Sequence, residues 1–290
     1  MLYYDEKRKK AIERVKEDWS NLLNQTLEIK NDKEIILIAV KQNGLAIKYA
    51  SIELRKDKEV VLAAVKQNGL ALKHASIELR KDKEVVLAAV RQNGLALEFA
   101  AIFRNVKEVV LEAVKQNEQA GEFSSCRIRF DDDIIMERIY QNCHNFTAAS
   151  YEIKNNKEVV LKVVKQDAYL YWYVSKELRN DKDVVLEVVK QDGNALDIVI
   201  KKFKDDKEVV LAAYFQNKES LKYASKRLQL IFSIIQNYMV ESDYNNKETF
   251  ENVLNKLEDY EEIYKIDNTT NEEDIKKSKV KTSVYKNNIK

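Results

Sequence analysis

The sequence predicts an all-α fold: a helical-repeat solenoid of about nine 25-residue helix–turn–helix units with a C-terminal helical cap. Three observations carry that prediction. A phrase of about 25 residues recurs along the chain, cleanest in Asp57–Lys81 (DKEVVLAAVKQNGLALKHASIELRK) and Asp82–Ile102. The recurring segments are dominated by Ala, Lys, Glu and Leu and lack the period-2 alternation of strands. Each copy holds helices too short to be stable alone, so its apolar faces must be covered by neighbouring copies.

The Lys-Glu pair sets the register. It falls at Lys33, Lys58, Lys83, Lys107, Asp132 (a substitute), Lys157, Lys182 and Lys207. Steps are 25 residues except one of 24, where a residue is missing between Ala101 and Lys107. A worn first copy precedes Lys33, with Ile12, Val15 and Leu22 where Leu62, Val65 and Leu72 stand. The array therefore runs from about residue 8 to 228, as one solenoid domain long enough to bury a continuous core.

Within a repeat, Asp57 is an N-cap residue and Glu59 complements the dipole of the first turn. Val60–Val65 (VVLAAV) is apolar on nearly every face, as expected of a helix sandwiched between neighbours. Gly69 stands where a left-handed residue ends a helix, and Gly44, Gly94 and Gly193 share its slot. A second helix is predicted from Leu70, presenting Leu72, Ala75 and Leu79 along one stripe.

Asn105–Ser150 is the most diverged stretch, with Phe130–Asp133 (FDDD) replacing RKDKE. The repeat stops near Leu228. LIFSIIQNYMV (Leu230–Val240) is too short and too polar to span a membrane and reads as a cap over the last repeat. Phe250, Val253, Leu254, Leu257 and Tyr260 recur at helical spacing, predicting an amphipathic helix over Asn246–Tyr264. Capping helices are thus assigned to 229–266. The Lys- and Asn-rich tail 267–290 is expected to be disordered.

The N-terminal MLYYDEKRKKAIERVKEDW lacks the apolar stretch of a secretory signal, and two cysteines make no disulfide framework. The expectation is a cytoplasmic protein, with export of an effector by an unconventional route left open. No membrane-spanning segment is read.

The phrases DKEVVLAAVKQNGLALKHASIELR and SKELRNDKDVVLEVVKQDG (Ser175–Gly193) resemble tandem copies of the domain-of-unknown-function 4116 family, found in bacteria and protists. The resemblance covers about Asp32–Leu228, and Asn105–Ser150 departs from it. It implies an architecture and brings no activity, cofactor or catalytic residue.

Two charged rows run the length of the array. Glu34, Glu59, Glu84, Glu108, Asp133, Glu158, Asp183 and Glu208 are acidic; Lys30, Arg55, Arg80, Arg104, Arg129, Lys154, Arg179 and Lys204 are basic. A basic ladder can track a phosphate backbone. It can equally offset the negative pole at a helix end, or pair with the acidic row four residues on. The balance of 50 basic against 48 acidic residues leaves +2, which favours the structural roles. A third row, Gln42, Gln67, Gln92, Gln116, Gln141, Gln166, Gln191 and Gln216, is always followed by Asn or Asp. These side chains are expected to bond exposed helix-end carbonyls or to bridge to the next repeat, rather than to line a peptide groove.

Tyr49, His74, Phe99, Phe123, Tyr173 and Tyr223 form a bulky row beside the small row Ala50, Ala75, Ala100, Ser124, Ala149 and Ala224, which reads as inter-helix packing. Trp172 differs: its equivalents are Lys48, Lys73, Glu98, Glu122, Thr147, Asp197 and Lys222. A tryptophan in a polar row, flanked by Tyr169, Tyr171 and Tyr173, is the leading candidate for a partner contact, set against local repacking onto a neighbouring repeat. Cys126 replaces the Ile of Ile52 and Ile77, read as a core slot, and Cys143 replaces the turn glycine. Cys126, Cys143 and His144 lack the spacing of a zinc site, and adjacent Cys143 and His144 are expected to point apart on a helix.

No catalytic, cofactor-binding or metal-binding motif and no small-molecule substrate is read. The sequence is expected to encode a non-catalytic scaffold whose exposed face binds another protein. The contact candidates are Trp172, Tyr169 and Tyr171, with Arg55, Arg80, Arg129 and Arg179 of the basic row. The alternative is a nucleic-acid-associated protein using that row and the tail lysines Lys276, Lys277, Lys279, Lys281, Lys286 and Lys290.

Overall fold

The computed structural model describes residues 2–238 and 246–264. The lysine-rich tail lies outside the described residues. The fold is an all-α helical-repeat solenoid, with no strand among the described residues. Where the repeat alone marks one array, contacts within the chain divide it into an N-terminal half, Met1–Ser150, and a C-terminal half, Tyr151–Lys290.

In the N-terminal half, α1 (Leu2–Glu17) precedes four ten-residue helices that start on the Lys-Glu pair: α2 (Lys33–Gln42), α3 (Lys58–Gln67), α4 (Lys83–Gln92) and α5 (Lys107–Gln116). A fifth, α6 (Asp132–Gln141), falls in the diverged stretch and keeps the same length and register. Asp57 caps α3 by accepting from the amides of Glu59 and Val60, and Asp82 does the same for α4. Val106 stands at that position before α5 and supplies no side-chain cap. Val60, Val61, Ala64 and Val65 of α3 are fully buried, as are their counterparts in α4 and α5. Fully burying one such valine contributes about 1.5–3 kcal/mol.

The second half of each repeat is not the single α-helix that the sequence predicts. A 3-10 helix forms instead: Gly44–Tyr49, Gly69–His74, Gly94–Phe99, Glu118–Phe123 and Cys143–Ala148. The Asn that follows each Gln starts it. Asn68 is extended (φ −148°, ψ 109°), and its side chain accepts from the Leu70 amide two residues on. Three residues per turn align Gly69, Leu72 and Ala75, so that Leu72 is buried and the small Ala75 nearly so. At Ala75 the chain becomes extended (φ −67°, ψ 155°), which ends the element before Leu79.

Gly69 is therefore not a left-handed helix cap. The extended Asn68 ends α3, and the glycine answers a close approach: a Cβ there would collide with the carbonyl oxygen of Ala89 in the next repeat. Gly44 meets Ala64 in the same way.

In the C-terminal half, α7 (Lys157–Gln166), α8 (Lys182–Gln191) and α9 (Lys207–Gln216) repeat the pattern. The last repeat then departs from it. Tyr214 and Phe215 stand where α3 has Val65 and Lys66. They form an aromatic cluster with Phe232 of α10 (Lys226–Tyr238) and Phe250 of α11 (Lys247–Tyr264). Ring centroids lie 5.2 Å apart for Tyr214–Phe232 and 5.0 Å for Phe232–Phe250, within the range where aromatic pairs add to simple burial. Phe250, Val253 and Leu254 are buried, so α11 lays an apolar face on this half.

Gly69→Ala is expected to destabilise the protein by about 1–3 kcal/mol, the typical cost of overpacking. Gly121→Ala is expected to cost less, because its Cβ would meet the flexible Arg138 side chain (Cδ at 3.1 Å) rather than backbone. Thermal unfolding of the two variants by circular dichroism checks the order.

Candidate interaction surfaces

The Gln row joins repeats. Gln67 donates from Nε2 to the Gln42 carbonyl at 3.1 Å, and its Oε1 accepts from the Gly44 amide at 2.5 Å. One side chain thus satisfies a helix-end carbonyl and the following amide of the preceding repeat. Gln42 does likewise for the Val15 carbonyl and the Trp19 amide, and Gln141 for the Val114 carbonyl and the Glu118 amide. Gln216 repeats the arrangement in the C-terminal half on the Gln191 carbonyl and the Gly193 amide.

Apart from Glu158, which pairs with Lys162 of its own helix at 2.8 Å, the acidic row is neutralised by a basic residue of the preceding repeat, not by the basic row four residues away. Lys58 Nζ lies 2.7 Å from Asp82 and 2.8 Å from Glu84, so it ties down both the cap and the first-turn acid of α4. Lys33, Lys107, Lys157 and Lys182 form the same fork, and Arg8 of α1 forms it on Asp32 and Glu34. Lys83 pairs with Glu108 at 2.7 Å, where Val106 replaces the capping Asp.

The basic row folds back onto its own repeat. Lys30 donates to the Leu23 carbonyl, Arg104 to Glu98, Arg129 to Glu122 and Lys204 to Asp197, all at the end of the preceding 3-10 segment. Arg55, Arg80, Arg129 and Arg179 are half-buried, and the Nε of each is buried without a hydrogen-bond partner. Their backbones serve the joint as well, since the Arg55 carbonyl accepts from the Ser76 amide of the next repeat at 3.0 Å.

Three of the aromatic candidates share the 3-10 segment Ala168–Tyr173 but not one environment. Trp172 is 59% exposed, and Tyr169 and Tyr173 are 47% exposed. Tyr171 is 1% exposed, its hydroxyl donates to the Arg179 carbonyl at 2.9 Å, and burial pushes its pKa up to about 12. It is a core residue and offers no surface to a partner. Its register equivalents Ile47, Leu72, Leu97 and Phe146 are all fully buried, and that row was the signal for its position.

Two further expectations are corrected. Ile52 and Ile77 are 62% and 58% exposed, so the slot of the exposed Cys126 belongs to the surface. Cys143 Sγ and His144 Nδ1 converge to 3.7 Å rather than pointing apart, because they begin a 3-10 turn and not an α-helix. Among the described residues no group of three His, Cys, Asp or Glu is placed to hold a metal. His74 is half-buried in the bulky row, and burial, then Lys73, Lys48 and Arg55, hold its pKa below the ordinary histidine value.

A buried charge that the sequence did not announce sits in the diverged stretch. Arg138 is 8% exposed where α3 has Ala64, and it reaches Glu122 at 2.7 Å and Glu118 at 3.5 Å. Gly121, standing where α3's repeat has Leu72, makes the room.

The forked pairs set a pH window. The Lys58 ammonium is the main cause holding Asp82 below the ordinary carboxylate range, with the Val85 and Glu84 amides adding to it and burial opposing. Asp82 and Glu84 raise Lys58 in turn. A lowered carboxylate contributes stability above its unfolded value of about 3.9, and that contribution is lost as pH falls through the folded value. A raised lysine contributes below about 10.4 and loses its contribution as pH rises through the folded value. The thermal midpoint is therefore expected to be flat near neutrality and to fall on both sides. Replacing Lys33, Lys58 and Lys107 by Gln is expected to flatten the acid limb, and unfolding curves at stepped pH and low salt check this.

A family model described as Domain of unknown function (DUF4116) matches residues 11–55, 57–102, 82–125, 131–179, 156–204 and 181–229. Each match spans about two repeats, and the overlap of 57–102 with 82–125 falls on the repeat that starts at Asp82. No curated protein and no solved structure matches the chain. No helix among the described residues is long and apolar enough to cross a membrane. With matches running from residue 11 to 229, the chain belongs to the DUF4116 family, as a tandem array of its repeats.

Proposed function

We propose that the chain is a non-catalytic protein-interaction scaffold whose partner contacts lie where individual repeats depart from the common pattern. The observation that carries this reading is the exposure of Trp172 between Tyr169 and Tyr173 on one 3-10 turn of the C-terminal half. Seven other repeats carry Lys, Glu, Thr or Asp at the tryptophan's position, so the ring is not there to pack the array. Large, stiff aromatic side chains bury much area for little entropy on binding, which is why they dominate interface energetics. Tyr171 beneath them anchors the turn in the core and fixes how the exposed rings are presented.

The basic row gives a nucleic-acid reading less support. Several of its cations are committed to carbonyls of their own repeats, and the acidic and basic residues nearly balance. A polyanion site ordinarily carries a marked surplus of free basic groups.

The test is capture of partners by the full chain with and without nuclease, repeated with Trp172→Ala. A protein that survives nuclease and binds the variant about 30-fold more weakly, the scale of a 2 kcal/mol hot spot, supports the reading. Retention abolished by nuclease, or unchanged by Trp172→Ala, overturns it. Thermal stability of the variant is expected to match wild type, since Trp172 is exposed.

A further inference from the structure

One row of basic side chains takes no part in the glutamine bridges or the lysine forks. Lys41, Lys66, Arg91 and Lys115 end successive helices of the N-terminal half and are all exposed. In the repeat of α5, this row meets a carboxylate supplied by the chain itself. Glu112 lies 2.7 Å from Arg91 of the preceding helix and 3.5 Å from Lys115 of its own. The C-terminal half shows the arrangement independently, with Glu187 at the same register position 4.0 Å from Lys165 of the preceding helix.

Three repeats of the N-terminal half lack that carboxylate, with Ile38 at the position in α2 and a small residue there in the next two. Ala63 and Ala88 stand at the Glu112 position of α3 and α4. Lys41 and Lys66, which flank the Ala63 position, have no ion pair among the described residues. The small side chain leaves a groove lined by Lys41, Lys66, Leu62, Ala63 and Glu59, with the half-buried Leu62 and Ala63 as its apolar floor.

We infer that this face of α2–α4 binds an acidic peptide segment whose carboxylates take the two positions that Ala63 and Ala88 leave without one. The first carboxylate sits between Lys41 and Lys66, the second between Lys66 and Arg91, as Glu112 sits between Arg91 and Lys115. Apolar residues between them lie on Leu62 and Leu87. Neighbouring helices pack about 8–10 Å apart, so the two carboxylates are spaced as residues i and i+3 of a polyproline-II-like segment, which rises about 3.1 Å per residue and returns a side chain to the same face every third residue. A charge-assisted pair of this kind is the stronger class of hydrogen bond, and Arg91 first of all holds the Glu112 carboxyl below its ordinary pKa against the opposing effect of burial.

A peptide fits this surface better than a nucleic acid strand. The floor is apolar, and Glu59 lines the same groove, so a continuous run of phosphates would be forced against a carboxylate. Separate carboxylates at the lysine edge avoid it. The inference is independent of the aromatic turn in the C-terminal half and stands or falls by different variants.

The probe is a fluorescein-labelled peptide with Glu at every third position and Leu and Val between, titrated by anisotropy with the full chain. The control is the same peptide with Gln for Glu. Binding of the Glu peptide, at least tenfold weaker for the Gln control, is expected. Ala63→Glu with Ala88→Glu is expected to reduce binding at least tenfold, because the introduced carboxylates occupy the lysines; the fold tolerates Glu at this register position in α5. Glu112→Ala is expected to tighten binding severalfold by freeing Arg91 and Lys115, while Trp172→Ala leaves it unchanged. Absence of binding by the wild-type chain, equal binding by the double Glu variant, or a single-stranded oligonucleotide that binds more tightly than the peptide would each overturn the inference.

Discussion

Within each half of the chain, the joints between successive repeats turn on a glutamine. The backbone must leave one helix and enter a 3-10 turn within two residues, which strands a helix-end carbonyl and a turn amide close together. Gln67 reaches across from the next repeat and satisfies both, with its amide on the Gln42 carbonyl and its oxygen on the Gly44 amide. A donor and an acceptor at the tip of one short side chain suit this geometry; glutamate could not donate, and lysine could not accept. At Gly44 and Gly69 the same joint brings a carbonyl of the next repeat so close that a Cβ is excluded, whereas Glu118 takes that slot where its amide lies 2.9 Å from Gln141. The lysine forks and the Ser–carbonyl bonds, such as Ser76 to Arg55, then lock the two ends of the same interface.

The register, the N-caps and the first helices were legible in the sequence because each rests on local pattern: a recurring Lys-Glu pair, Asp57 before a helix, apolar runs. What was not legible depends on neighbours. Gly69 reads locally as a helix terminator, and only the carbonyl of Ala89 in the next repeat shows why a side chain is excluded. The 3-10 turn hides inside a sequence of good helix formers, since six residues with i and i+3 apolar satisfy both periods. Ile52 and Ile77 look like core residues by type and are not, which no residue-by-residue reading distinguishes. Tyr171 was within reach, because its row is apolar throughout; its company of exposed aromatics obscured it.

The diverged repeats show what the joint tolerates. In α6 an arginine takes the place of a core alanine, and the chain compensates with Gly121 in a leucine slot and with Glu118 and Glu122 around the guanidinium. Volume moves from one side of the interface to the other. A buried ion pair of this kind is weak support for stability, since desolvation offsets much of its attraction. Its consequence is selectivity of contact: Arg138 suits only a neighbour that offers a cavity and carboxylates, and this fixes which repeat can stack there.

Periodicity and recognition pull in opposite directions in such an array. A charge repeated from copy to copy meets the same neighbour each time, so it is neutralised at the joint, as Glu59, Glu84, Asp133, Asp183 and Glu208 are by their lysines. A position that varies from copy to copy escapes that neutralisation. Trp172 adds a group that no joint uses, and Ala63 and Ala88 lack the carboxylate that Glu112 supplies in the repeat of α5. The information in this chain lies in those differences between copies, and the repeated residues hold the copies in a fixed register against which the differences can be read.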